Sequence, residues 1–372
     1  MKTRAVLLSA AGAARPYGGS RPLQVVELDL EGPRQGELLV AVEAAGVCHS
    51  DLSVLDGNRL RPLPMALGHE AAGTVLEVGP GVDDVAVGDR VVLVFVPSCG
   101  RCRECASGRP ALCPRGAAAN GAGELRGGGR RLSRDGLPVH HHLGVSAFSD
   151  TVVVDRGSVV VVPRSVPPEV AALFGCALLT GVGAVHNTAG VRPGESVGVW
   201  GLGGVGLSAV LGAVVAGAYP VVAVDPVPAK RALALELGAT VALDVDADVR
   251  DVVPGGVRHA FEAVGRAATL AVAFAATARG GVTTSVGLPH PDEQLRIPAL
   301  QLVAEARTLR GSYLGDAVPQ RDIPDLVALW EAGRLPVERL RSAVLPLDAV
   351  NEAMEALADG SAVRQLLLPT LS

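Results

Sequence analysis

Six cysteines carry much of the chemistry this chain could do. Cys99, Cys102, Cys105 and Cys113 are spaced C-x2-C-x2-C-x7-C, which presents four thiolates to one centre, as a tetrahedral Zn²⁺ requires. Disulfides are the plain alternative, but cysteines this close in sequence pair poorly. An iron–sulfur cluster is a sharper rival, because Cys113-Pro114 closes the run as in ferredoxins, although with seven residues rather than three before the last cysteine. Cys48 lies in Gly46-Val47-Cys48-His49-Ser50-Asp51, His69 in Gly68-His69-Glu70, and Cys176 follows Gly175. Alone, Cys48 and Cys176 would pass for buried small hydrophobes. With His69 they make two thiolates and an imidazole, a three-ligand zinc site whose fourth position stays open for substrate.

A second chemistry sits further along the chain. Gly201-Leu202-Gly203-Gly204-Val205-Gly206 follows an apolar run and opens a helical pattern. Taken alone, G-x-G-x-x-G is weak in a chain with 46 glycines. In this setting each glycine has its own role, with a tight turn at Gly201, approach of a pyrophosphate to the backbone at Gly203, and close helix–strand packing at Gly206. The helix start offers unpaired N–H groups to phosphate. About 20 residues on, Asp225 ends the next apolar run, where a carboxylate accepts from ribose hydroxyls and repels a 2′-phosphate. NAD, rather than NADP, is therefore the expected cofactor.

The elements that must position these groups fall into two parts. Up to about residue 177 the chain has short valine-rich runs broken by Gly and Pro, and strands are predicted over 3–9, 38–45, 73–78, 90–96 and 151–154. The Gly- and Arg-rich stretch 115–134 reads as a surface loop. Beyond Gly181 strands and helices alternate: strand 196–200, helix 204–216, strand 221–225, helix 229–237. That order predicts a parallel sheet. Helices over 323–333 and 347–359 and a strand over 363–368 complete the chain. The fold class expected is α/β, a β-rich domain plus a doubly wound parallel-sheet nucleotide domain.

Composition narrows the classes. Of 372 residues, 49% are hydrophobic and 19% charged, enough for two cored domains and too apolar for a disordered chain. The net charge of −5 and 3% aromatic content argue against nucleic-acid or anionic-membrane binding as the main role. The charge-free stretch 196–224 is long enough to span a bilayer, but its glycines and Pro220 read as a buried strand–turn–helix–strand unit. Lys2 and Arg4 before the apolar run 5–14 mimic a secretory signal; a first β-strand fits better, because the thiols need a reducing compartment. A cytoplasmic protein without membrane or nucleic-acid partners is expected.

Taken together, the Gly46–Asp51 and Gly68–Glu70 motifs, the four-cysteine run, Gly175-Cys176 and the glycine-rich turn resemble the zinc-dependent medium-chain alcohol dehydrogenases, in that family's order and spacing and across nearly the whole chain. The likeness is to its longer, class III-like and usually dimeric members. It implies a GroES-like catalytic domain (1–177 and 314–372), a Rossmann NAD domain (178–313), and an active site in the cleft between them. Cys48, His69 and Cys176 would hold a catalytic zinc, and Cys99, Cys102, Cys105 and Cys113 a structural one, two Zn²⁺ per chain. Asp51 would orient His69, and Glu70 would stand behind the metal. His49 and Arg364 would meet the pyrophosphate, Lys230 and Asp225 the adenosine ribose. Thr180, Val286, Gly287, Leu288 and residues 312–314 would lie along the nicotinamide. Ser50, Phe95, His142, Leu143, Leu288 and Tyr313 would surround the substrate. For His140, His141 and His142 the plain reading is a partly exposed histidine run, of which only His142 falls on a pocket position. The implied reaction interconverts an alcohol with an aldehyde or ketone by hydride exchange with NAD(H) through a zinc-bound alkoxide, its proton leaving by way of Ser50.

Two departures refine that expectation. Ser53 stands where many members have a proton-relay histidine, so oxidation would depend on water or another base, or the enzyme would favour reduction of carbonyls or conjugated C=C bonds. Ala117 stands where glutathione-dependent formaldehyde dehydrogenases of the family carry a basic residue, which counts against a thiol-adduct substrate, the second reading. A non-catalytic NAD sensor and a zinc-free quinone reductase are disfavoured by the complete ligand sets, and an electron-transfer iron–sulfur protein by the seven-residue spacing before Cys113 and the lack of a second cysteine run.

Overall fold

The structure is a computed structural model in which residues 1–371 are described. It divides into two compact units, one of 1–176, 318–328 and 341–371, the other of 177–317 and 329–340. The segments 314–317 and 329–340, expected with the first part, group with the second.

The first unit is built on β structure. A closed barrel runs through Lys2–Leu8, Leu23–Leu30, Leu132–Arg134, Leu137–His141 and Met65–Ala66. Beside it, Glu37–Val47 is the hub of a seven-stranded sheet, paired with Ala71–Val78, Thr151–Asp155 and Arg364–Leu368. Its apolar residues are buried on both faces, which is why it reads as a continuous run rather than an alternating one. Phe148, Leu38 and Met65 are fully enclosed in this core. Each such side chain stabilises the fold by about 1.5–3 kcal/mol relative to exposure.

The stretch 115–134 is not a surface loop. Pro114–Ala122 is a helix, with proline at its first position and Gly123 closing it at φ +64. Leu132–Arg134 is a barrel strand. Between them Arg131, 1% exposed, donates from Nε and Nη2 to the equally buried Glu37 at 2.8 and 2.5 Å. The arginine count suggested solvent, whereas a paired arginine serves as an internal strut.

The second unit is a six-stranded, all-parallel sheet in the order Val241–Leu243, Val221–Val224, Val197–Trp200, Val257–Glu262, Thr277–Ser285, Thr308–Gly311. Strand order reverses between Val197–Trp200 and Val257–Glu262, a switch point outside whose carboxyl ends ligands bind in doubly wound sheets. The stretch 196–224 resolves into strand, helix Gly204–Val215 and strand. Among the described residues no single helix is long and apolar enough to cross a membrane.

Candidate active site and nucleotide site

Cys48 ends the hub strand and starts the helix His49–Leu55. A capping box sets that start: Cys48, in extended conformation, is bonded by Asp51 Oδ2, which accepts the Cys48 N–H at 3.1 Å. The other oxygen of Asp51 turns to the next ligand, accepting from the Gly68 N–H at 3.2 Å and from His69 Nδ1 at 3.1 Å. Gly68 has φ +91, and a Cβ there would lie 2.4 Å from the Phe148 nitrogen, so only glycine can deliver His69 in this direction. One carboxylate thus caps the helix bearing Cys48 and fixes the tautomer of His69, leaving Nε2 as the donor atom. Nε2 lies 3.5 Å from Cys176 Sγ.

Sγ of Cys48, a ring nitrogen of His69 and Sγ of Cys176 lie within 4.8 Å of one another, and all three residues are buried. A tetrahedral zinc with Zn–S near 2.3 Å and Zn–N near 2.05 Å spaces such an S···N pair about 3.6 Å apart, so this donor set fits the ion. Electrostatics agree. The hydrogen bond from Cys176 holds the Cys48 thiol well below its ordinary pKa and raises that of Cys176. Burial would lower His69 and raise Asp51, but their mutual contact wins, leaving His69 well above and Asp51 below their usual ranges. A buried thiolate beside an imidazole held by a carboxylate is a site that a dication completes.

The four-cysteine run also converges. Its sulfurs all lie within 4.8 Å, with Cys102 Sγ 3.4 Å from Cys105 Sγ and 3.9 Å from Cys113 Sγ. Tetrahedral ZnS₄ has an S···S edge of about 3.8 Å. A four-iron cluster spreads its thiolates over separate irons, so this compact set fits one ion. Hydrogen bonds from backbone N–H groups, that of Arg101 foremost, bring Cys99 down to about 6, whereas burial pushes Cys105 up to about 12.

The remaining expected residues fall as follows. Ser50 Oγ is 4.0 Å from Cys48 Sγ, and Phe95 packs edge-on against the His69 ring at 5.5 Å. The Ser53 hydroxyl donates to the His49 carbonyl at 2.9 Å. Glu70 is fully buried and forms an ion pair with Arg364, itself 4% exposed. His49 is exposed. His140 is only partly buried, but His141 and His142 are each 1% exposed, so the histidine run is not at the surface. His142 Nδ1 stands 3.0 Å from Asp51, and its ring meets His69 edge-on, making it a neighbour of the ligand's carboxylate. Leu143 is buried with φ +52. Sequence reasoning missed Asn120, whose Nδ2 donates to the Phe95 carbonyl at 2.8 Å. It lay inside the stretch read as a loop.

In the second unit the glycine-rich turn leaves Trp200 and enters Gly204–Val215 at Gly203, the N-cap. A Cβ on Gly206 would come 1.7 Å from the Gly201 carbonyl oxygen, so close packing dictates glycine there. At Gly203 a Cβ would meet nothing within 4 Å. The protein's own packing therefore does not require glycine at 203; the open space over a helix N-terminus fits a pyrophosphate. Asp225, 5% exposed, accepts from the Leu202 N–H at 2.7 Å and the Val227 N–H at 2.9 Å, which ties it to the same turn. Lys230 lies in the first turn of Pro228–Glu236, and Thr180 is buried in Ala177–Gly183. Leu288 and Tyr313 are exposed. Glu262 was missed. Its Oε1 accepts from the N–H groups of Val264 and Gly265 at 2.8 and 2.6 Å, shaping the loop after the strand next to the switch point. An acid closing a strand three residues before a glycine was the available signal.

Residues 34–164 match the Alcohol dehydrogenase GroES-like domain family and residues 204–332 the Zinc-binding dehydrogenase family. The chain is 38% identical to an NDMA-dependent alcohol dehydrogenase of Amycolatopsis methanolica, over 99% of both proteins. It belongs to the zinc-dependent medium-chain alcohol dehydrogenases. Within that family it is also similar to an S-(hydroxymethyl)glutathione dehydrogenase of Synechocystis, at 36% identity over 95% of this chain and 98% of the relative. The solved benzyl alcohol dehydrogenase of Acinetobacter calcoaceticus superposes with a TM-score of 0.92 at 31% identity, over 99% of each chain. As in other alcohol dehydrogenases of this family, a GroES-like domain is combined with a Rossmann-type domain.

Proposed function

We propose that this alcohol dehydrogenase interconverts a small primary or secondary alcohol having an apolar body with its aldehyde or ketone, using NAD(H) and two Zn²⁺ per chain. The unit of 1–176, 318–328 and 341–371 serves as the catalytic part and that of 177–317 and 329–340 as the nucleotide part. The observation that carries the reading is the convergence of Cys48, His69 and Cys176. Bound zinc would supply Lewis-acid polarisation of the substrate oxygen, and bound NAD the hydride acceptor.

The chain's own residues do the rest. Asp51 holds the Nδ1 proton of His69, so Nε2 is kept available as a ligand. Ser50 sits beside Cys48 and takes the proton of the substrate hydroxyl. Ser53 donates its own proton to the His49 carbonyl and has no basicity near neutral pH, so the proton leaves Ser50 for water. Alcohol oxidation therefore gives up its proton to water through Ser50, and reduction draws a proton back along the same path. Phe95 and Leu143, both buried, supply apolar enclosure in the catalytic part. Asp225 selects NAD over NADP by repelling a 2′-phosphate. Lys230 and Thr180 assist at the ribose and nicotinamide ends. The protein acts as a cytoplasmic homodimer.

A thiol-adduct substrate is the second reading, favoured by the likeness to S-(hydroxymethyl)glutathione dehydrogenases and opposed by Ala117. The test combines metal analysis with NADH formation over aliphatic, aromatic and thiol-adduct alcohols. Two zincs per chain and chelator-sensitive oxidation of simple alcohols support the proposal. Turnover of the adduct alone supports the second reading, and iron in place of zinc defeats both.

A further inference from the structure

The segment after the last parallel strand is wound the wrong way. Leu314, Gly315 and Asp316 have φ of +53, +68 and +48, two of them carrying side chains that disfavour this region. Asp316 N–H donates to the Tyr313 carbonyl at 3.1 Å, and Ala317 N–H to that of Leu314 at 3.2 Å, so the segment is a single left-handed 3₁₀ turn. Such a backbone persists only where its surroundings over-determine it, and it concentrates at functional sites.

The surroundings are specific. A Cβ on Gly315 would lie 2.6 and 2.7 Å from the carbonyl oxygens of Leu179 and Thr180, so the turn sits flush on the helix Ala177–Gly183. The segment that continues this helix, Ala184–Ala189, is a π-helix, and its last side chains reach the turn. Asn187 Nδ2 donates to the Gly315 carbonyl at 3.2 Å. Thr188 Oγ1 donates to Asp316 Oδ2 at 2.9 Å and lies 2.7 Å from Ser312 Oγ. A hydroxyl has one proton, and a carboxylate only accepts. The direction is therefore settled: Ser312 donates to Thr188, and Thr188 donates to Asp316.

Thr308–Gly311 runs parallel to its neighbour, so Ser312 leaves the carboxyl end of the sheet, the side on which doubly wound folds bind ligands. We infer that Thr188 and Asp316 are positioning residues that clasp this left-handed turn and thereby hold the backbone of Ser312, Tyr313 and Leu314 for the nicotinamide half of the dinucleotide. The inference rests on the NAD reading above. The adenosine half is left, on that reading, to the glycine-rich turn and Asp225, which is tied to that turn through the Leu202 N–H.

The two halves make the test. Binding of NADH and of ADP-ribose, which lacks nicotinamide, is measured by titration calorimetry on the full chain for the unaltered protein, Thr188→Val, Thr188→Ser and Asp316→Gly. The expected result is that Thr188→Val and Asp316→Gly weaken NADH by about fivefold or more while ADP-ribose stays within about twofold, and Thr188→Ser, which keeps the hydroxyl, restores NADH binding. Equal weakening of both ligands, or no weakening of either, overturns the clasp. If Thr188→Val fails to fold, Asp316→Gly, which relieves the backbone while removing the acceptor, carries the same comparison. Failure of ADP-ribose to bind the unaltered protein instead overturns the NAD reading itself, a result distinct from the other outcomes.

Discussion

Asp51 shows how much one side chain can organise. Its two oxygens cap the helix after Cys48, receive His69 and face His142. Residue-level expectations follow from such economy. Gly46 lies two positions before Cys48, and a Cβ there would fall 2.4 Å from Glu70 Oε1, in a pocket where Glu70 is already enclosed and paired with Arg364. Gly46→Ala is expected to lower zinc at the Cys48–His69–Cys176 site, giving nearer one than two zincs per chain by metal analysis; unchanged content would show that Glu70 has room to move. Ser53 invites the opposite experiment. Introducing the relay base by Ser53→His is expected to shift the rising limb of the pH–rate profile for alcohol oxidation to lower pH. An unmoved profile would falsify the proton route through Ser50 to water.

At the scale of elements, the region 115–134 is where sequence and structure part. Glycine and arginine are loop-like in composition, yet this stretch supplies a helix, a barrel strand and a buried Arg131–Glu37 pair. Burial of an ion pair depends on a partner 94 residues away, which no local pattern carries. The same packing encloses His141, whose Nε2 accepts the Arg131 N–H at 3.0 Å and which burial pushes down to about 3. Since the unfolded chain protonates this imidazole near pH 6.5 and the folded chain does not, the folded state loses stability as pH falls from about 6.5 towards 3, by up to ~1.4 kcal/mol per pH unit. His141→Gln retains the acceptor and removes the titration. Urea unfolding at pH 7 and pH 5 is therefore expected to show a smaller acid loss in His141→Gln than in the parent, by about 2 kcal/mol; equal losses would place the acid sensitivity elsewhere.

For the whole molecule, ligand linkage gives the expected behaviour. NAD binds the folded state alone, so a saturating excess of about a hundred times its Kd should add about 2.7 kcal/mol of stability, while a chelator that strips both zincs should lower the melting temperature. Calorimetry reads both, and insensitivity to chelation would mean that the four-cysteine lobe stands without metal. What sequence determined here is whatever short-range spacing can encode: C-x2-C-x2-C-x7-C, the G-x-G-x-x-G turn with its acid, and the alternation of strand and helix. Those features are legible because one local element supplies all the ligand atoms or backbone N–H groups, so the chemistry survives in the linear order. The Cys48–His69–Cys176 site is a different case, because its ligands are scattered over more than a hundred residues; the linear order named plausible donors, and likeness to a family grouped them. Only the tertiary structure brought their atoms within 4.8 Å, moved His142 onto Asp51, paired Arg364 with Glu70, and clasped the left-handed turn at 314–316 by Thr188. Each of these depends on a buried polar group finding its partner across the fold, and desolvation makes such pairing compulsory without leaving any mark on neighbouring sequence.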